Sequence, residues 1–205
     1  MKILEFRKLR YSDEHDLKSF NDGVCWSRIY EYPFVLKSIK KYNEWLNKKN
    51  QDVLIHNTSW GWQGVHVTFK DKLQEIYPRS LHSDINPSNL PHTTVYDITS
   101  EPSEEHNEHY DFVINVSTVE EINPFLHVAS IKNLLAQVKK DGFLILTFDI
   151  SDTVYGGTIN LNAVENFLEQ KIEDFGEDNL DSDNSALPNK DCRGLNCGIL
   201  IVEKE

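Results

Sequence analysis

The chain has 205 residues, 39% of them hydrophobic, enough to bury one sizeable core, and a single domain is the expectation. A formal charge of −12 argues against a nonspecific nucleic-acid partner, which needs clustered Lys and Arg. No apolar run approaches membrane-spanning length and the N-terminus is not a signal peptide, so a cytosolic protein with no membrane partner is expected. Cys25, Cys192 and Cys197 match no zinc spacing and read as free thiols.

The first thirty residues are mixed. Asp13 to Phe20 fits one amphipathic helix, and the stretch from Trp26 to Pro33 is dense in aromatics with Arg28 and Glu31 between them. From Pro33 to about Lys49, Phe34, Val35, Ile39, Tyr42, Trp45 and Leu46 recur at helical spacing. Residues 1–50 are therefore expected to form a helical cap. The apolar run Val53-Leu54-Ile55 then predicts a buried parallel strand, ending in the turn-forming cluster Asn57, Thr58, Ser59, Trp60, Gly61. A helix follows over about 64–76. Strand, small-residue turn and helix together open a nucleotide-binding α/β unit, because the turn lets backbone N–H groups approach a ligand at the positive end of a helix.

A second short strand, 80–83, delivers Asp84, an acid placed to accept hydrogen bonds from a pair of ribose hydroxyls. A third strand, 94–96, ends at Asp97, followed by Ile98 and an acidic loop holding His106 and His109, whose spacing reads as solvated rather than metal-binding. His56 reads as a hydrogen-bonded structural histidine and Trp60 as core in preference to cofactor stacking. Tyr110 to Val116 is apolar enough for a strand buried on both faces. Asn123 and Pro124 start a helix running to Lys140, which stops at Asp141-Gly142 before the strand 143–150. A helix over 161–175, a polar loop over 176–196 and a last strand over 198–203 complete the chain. Residues 51–150 are thus the expected core and 151–205 a C-terminal helix, loop and strand. The alternation argues for a doubly wound, mostly parallel sheet.

The segment 51–150 resembles the class I S-adenosylmethionine-dependent methyltransferases. Tyr110-Asp111-Phe112-Val113-Ile114-Asn115-Val116-Ser117 with Val119, Glu120 and Glu121 is similar to that family's fourth-strand motif. Leu134-Leu135 through Asp141-Gly142-Phe143 is similar to its next helix, turn and strand, and Arg28 to Pro33 to a segment leading into the fold in some bacterial sugar and small-molecule members. The resemblance implies an α/β, Rossmann-like, seven-stranded methyltransferase sheet with an antiparallel last strand. It implies S-adenosylmethionine as cofactor, held by Asn57, Thr58, Ser59, Gly61, Asp84, Asp97, Ile98, Asn115 and Ser117. Glu120 and Asp149 are the candidate catalytic acids or bases, Arg28 and Glu31 the candidate substrate contacts, and no metal is expected. The acceptor implied is a small molecule, sugar-like or a metabolic intermediate, cationic or neutral given the acidic surface, and the protein a monomer or homodimer.

One departure from the family stands out. Ile55, Asn57 and Ser59 replace an acid and two glycines, and Ser59 carries a Cβ where close backbone approach is expected. That departure keeps open a non-catalytic binding or assembly module. A nicotinamide-dependent dehydrogenase also explains the first strand and Asp84, but lacks a second βαβαβ half.

Overall fold

The computed structural model describes residues 1–10, 13, 28–60, 67–150, 157–179 and 197–205. Within them the chain runs β1 (Lys2–Lys8), α1 (Arg28–Leu46), β2 (Ile55–Asn57), α2 (Val67–Ile76), β3 (Ser80–Asp84), β4 (Thr93–Val95), β5 (Tyr110–Val116), α3 (His127–Gln137), β6 (Val138–Asp149), α4 (Leu161–Leu168) and β7 (Cys197–Glu203). The strands form one sheet in the order β1-β7-β6-β5-β2-β3-β4. β6, β5, β2, β3 and β4 are parallel, while β7 runs antiparallel between β6 and β1.

The alternation of side chains along the strands explains the two layers. Ile55, Phe112, Ile114, Phe143, Ile145, Ile199 and Ile201 face α1 and α2, where Val35, Ile39, Tyr42, Phe69 and Leu73 meet them. Val113, Leu144, Leu146, Leu200 and Val202 face the other way, onto Ile131 and Leu134 of α3 and Val164 and Leu168 of α4. β5 is buried along its whole length, as its composition predicts. No described helix is long and apolar enough to cross a membrane.

Four expectations need correction. The N-terminal segment is not wholly a helical cap: Lys2–Lys8 is the edge strand that brings the sheet to seven, with Leu4 packed against one layer of the core and Ile3 and Phe6 against the other. α1 begins at Arg28, not Pro33, since a proline in the second turn removes one hydrogen bond and the buried face on either side outweighs that loss. It ends before Asn47, which turns left-handed at φ 51°. β6 begins at Val138, so the helix stops before Lys139-Lys140; Asp141 adopts φ 63° and a register shift opposite Asp111 absorbs the extra residues. The helix expected over 161–175 ends at Leu168, closed by Glu169 at φ 54°.

Asp111, the one charged residue of the buried strand β5, is fully buried and paired with Lys48 at 2.8 Å and with Lys139. It also accepts the Leu54 amide at 2.9 Å, and these partners together overcome burial and hold its carboxyl below the usual range. This pair of lysines clamps the amino ends of the central strands. Of the helix expected over Asp13 to Phe20, residues 14–20 lie outside the described residues, as do Cys25 and Cys192. Cys197 is a buried free thiol.

Candidate functional site at the carboxyl edge of the sheet

Parallel strands in an open α/β sheet deliver side chains to one edge, outside their carboxyl ends, and ligands bind there. Here that edge carries the turn after Asn57, then Asp84, Asp97, the run from Asn115 to Glu121, and Asp149. The antiparallel β7 starts at the same edge, so Cys197 stands opposite Asp149. Sequence reasoning missed Cys197 as a neighbour, because only the antiparallel register places it there.

The β2 turn is tied to β5. The Thr58 hydroxyl donates to the Ile114 carbonyl at 3.0 Å and accepts from Asn115 Nδ2 at 3.0 Å. Ser59 Oγ accepts the Val116 amide at 2.8 Å. Where glycines would leave backbone open, two hydroxyls fasten the turn to its neighbour. Asn57 is fully buried, with Nδ2 3.2 Å from His82 Nδ1. The carboxamide oxygens of Asn57 and Asn115 have no hydrogen-bond partner among the described residues. Buried acceptors without donors are rare in finished interiors and mark places where a ligand or water completes the structure. Gly61, Trp62 and His66 lie outside the described residues.

Trp60 is buried, as expected, with the Lys70 ammonium 5.9 Å from its ring centroid. His56 is structural: Nδ1 meets Gln137 Oε1 at 2.6 Å and Nε2 meets Ser83 Oγ at 2.8 Å. Burial lowers its pKa to about 3, so it is neutral at physiological pH. His106 departs from the solvated reading, since its Nδ1 lies 2.5 Å from the Tyr110 hydroxyl.

Asp84 and Asp97 are half-buried beyond adjacent strands β3 and β4, linked by the Tyr96 amide donating to the Asp84 carbonyl at 3.0 Å. Each carboxylate caps its own turn. Asp84 Oδ1 accepts the Asn86 amide at 2.9 Å, and Asp97 Oδ1 accepts the Thr99 amide at 2.9 Å and hydroxyl at 2.8 Å. Ile98 is buried, its carbonyl accepting from Asn133 at 3.2 Å.

The densest group sits beyond β5 and β6. Arg28 donates to Glu31 at 2.7 Å and to the Ser117 carbonyl at 3.1 Å, and the Ser117 hydroxyl donates to Glu31 at 2.5 Å. Ser117 takes the left-handed conformation, φ 40°, to make this turn. Burial opposes charge on Glu31, but Arg28 and Ser117 outweigh it and hold the carboxyl low. Glu120 Oε1 accepts the Asp149 amide at 3.0 Å. Burial, then repulsion from Asp149, raises Glu120 well above the carboxylate range, and burial with the Glu31 charge pushes Asp149 to about 7. Burial first, then Glu31, likewise raises the Cys197 thiol, so it is no ready nucleophile. Arg28, Glu31, Ser117, Glu120 and Asp149 thus come together, while Asp84 and Asp97 form a separate pair beyond β3 and β4.

No family model and no curated protein matches the sequence. Solved structures do match. DszA carbon methyltransferase aligns with a TM-score of 0.56 at 11% identity over 85% of this chain and 54% of its own. The trans-methyltransferase CalH, in complex with SAH, aligns at 0.51 and 16% identity over 76% of this chain and 52% of its own. A SAM dependent methyltransferase from Archaeoglobus fulgidus aligns at 0.50 and 13% identity over 87% of this chain and 97% of its own. The chain spans about half the length of the DszA and CalH chains.

The strand order and the ligand-facing edge define a doubly wound α/β protein of Rossmann-like architecture. Together with these likenesses, they show that the chain has the class I S-adenosylmethionine-dependent methyltransferase fold.

Proposed function

We propose that this protein is a methyltransferase that uses S-adenosylmethionine to methylate a small molecule. The observation that carries the reading is the placement of two half-buried carboxylates, Asp84 and Asp97, beyond adjacent parallel strands beside the β2 turn. In that role Asp84 accepts the ribose hydroxyls, and Asp97 with the Ile98 amide meets the adenine edge. The buried acceptors of Asn57 and Asn115 suit a ligand that brings hydrogen-bond donors. Thr58 and Ser59 hold the turn through β5.

The bound donor supplies an already activated methyl group, so the protein's part is alignment and exclusion of water. Arg28 and Glu31, locked to Ser117, form one wall of the acceptor side and shape it. Asp149, pushed to about 7, is the group there able to take a proton, beside a Glu120 held toward its neutral form.

A second reading, a non-catalytic module, is favoured by one observation: Thr58 and Ser59 spend their hydroxyls on β5. Calorimetric titration of the protein with S-adenosylhomocysteine and with NADH, using Asp84→Ala as control, separates the readings. The methyltransferase reading expects S-adenosylhomocysteine to bind at micromolar strength, NADH not to bind, and Asp84→Ala to weaken binding about tenfold or more. A folded protein that ignores S-adenosylhomocysteine at millimolar concentration would establish the module instead.

A further inference from the structure

We propose that the acceptor is an amine and that its nitrogen is received by the paired carboxyl groups of Glu120 and Asp149. The inference rests on the methyltransferase reading and names the substrate class of that same site.

Charge and hydrogen bonding at the β5 and β6 ends carry it. Glu31 is fully buried, Glu120 is 1% exposed and Asp149 7%. The cation buried with them, Arg28, is already committed to Glu31 and to the Ser117 carbonyl. The Arg28 charge lowers both carboxyls without bonding to either, and among the described residues the other ionisable groups facing Asp149 and Glu120 are Glu121 and the Cys197 thiol, neither of which brings positive charge. Among the described residues, no cation is dedicated to these two acids. One oxygen of each, Glu120 Oε2 and Asp149 Oδ1, is buried and accepts no hydrogen bond among the described residues. Each such acceptor costs about 1–3 kcal/mol unless something donates to it.

What the pair lacks is one group with positive charge and at least two N–H donors. An ammonium offers both. An alcohol offers one donor and no charge, and a carboxylate or phosphate is repelled. No set of three His, Cys, Asp or Glu able to hold a metal occurs among the described residues, which favours an N–H-bearing cation over a metal ion as occupant.

The same pair then does the chemistry that a primary amine requires. The amine arrives as an ammonium and passes one proton to the Asp149 carboxylate of the Glu120–Asp149 pair, which frees the nitrogen lone pair. That pair forms the new bond to the donor's methyl carbon while the carbon–sulfur bond breaks and its electrons stay on sulfur, turning the sulfonium into a neutral thioether. The product leaves as a secondary ammonium and the stored proton returns to water. Burial raises both carboxyls, helped by the Asp149 charge at Glu120 and by the Glu31 charge at Asp149, and an Asp149 pushed to about 7 is matched to this hand-over near pH 7.

The test uses the full chain, its Glu120→Gln and Asp149→Asn variants, and matched probes on one skeleton: cyclohexylamine, cyclohexanol and cyclohexanecarboxylate, then glucosamine, glucose and glucuronate. Each is titrated calorimetrically with and without saturating S-adenosylhomocysteine. In at least one set the amine is expected to bind about tenfold tighter than its alcohol and carboxylate counterparts, and both variants to lose that preference. An amine bound no more tightly than its alcohol in both sets, or a preference that survives in both variants, overturns the proposal. Failure of S-adenosylhomocysteine itself to bind removes the methyltransferase reading, while the titrations without it still decide whether the acid pair receives an amine.

Discussion

Removing the negative charge of Glu31 tests the electrostatics of the carboxyl edge directly. Glu31→Gln preserves shape and one oxygen for the Ser117 hydroxyl, but it strips Arg28 of its partner at 2.7 Å. Breaking a buried ion pair by removing one member costs about 3–5 kcal/mol. Against a domain stability of about 5–15 kcal/mol the variant should still fold, with a Tm roughly 10 °C lower. The loss should depend on pH, through Asp149. Burial and the Glu31 charge push its carboxyl to about 7 in the wild type; the variant removes the second cause, so Asp149 ionises at lower pH there and, as pH rises, gives Arg28 a replacement anion without the Glu31–Asp149 repulsion that the wild type bears at pH 8. Urea unfolding at pH 5 and pH 8 should therefore show the larger deficit at pH 5. A deficit below about 1 kcal/mol at pH 5, or a larger one at pH 8, would refute this account of the cluster.

Two further predictions concern the framework that carries the site. Asp111→Asn should cost about 3 kcal/mol at pH 7, toward the low end for a buried pair because Lys48 and Lys139 are 31% and 29% exposed. The folded carboxyl is held low, so its contribution is present above pH ~4 and fades as pH falls through the native value; in acid melts, wild type and variant should converge. Gly198→Ala should destabilise by about 1–3 kcal/mol, since a Cβ there would stand 2.3 Å from the Phe148 ring in the β6–β7 ladder. Guanidinium unfolding checks it, and a neutral result would mean that the ring can move aside.

Local pattern determined much of the sheet. Tyr110 to Val116 announces a doubly buried strand, 80–84 and 197–203 follow to within a residue, and the helical faces of α1 and α3 show in their apolar spacing, because these signals lie within a few neighbouring side chains. The positions of Asp84, Asp97 and Asp149 at the carboxyl edge show for the same reason: Asp84 and Asp149 end β3 and β6, and Asp97 follows β4 by two residues. Local pattern failed where tertiary pairing overrides it. Lys2–Lys8 is too charged to stand out, and becomes a strand because β7 offers it a ladder; Lys139 and Lys140 look like a helix end, yet extend β6.

The content of the site was decided only by the fold. Arg28 reaches Ser117 across 89 residues of sequence and Ser59 reaches Val116 across 57. Cys197 faces Asp149 because β7 runs antiparallel beside β6. No periodicity encodes such meetings. They depend on strand order and register, which arise when the two faces of the sheet are buried together, and that same burial turns scattered acids into a coupled group with carboxyls far from their values in water.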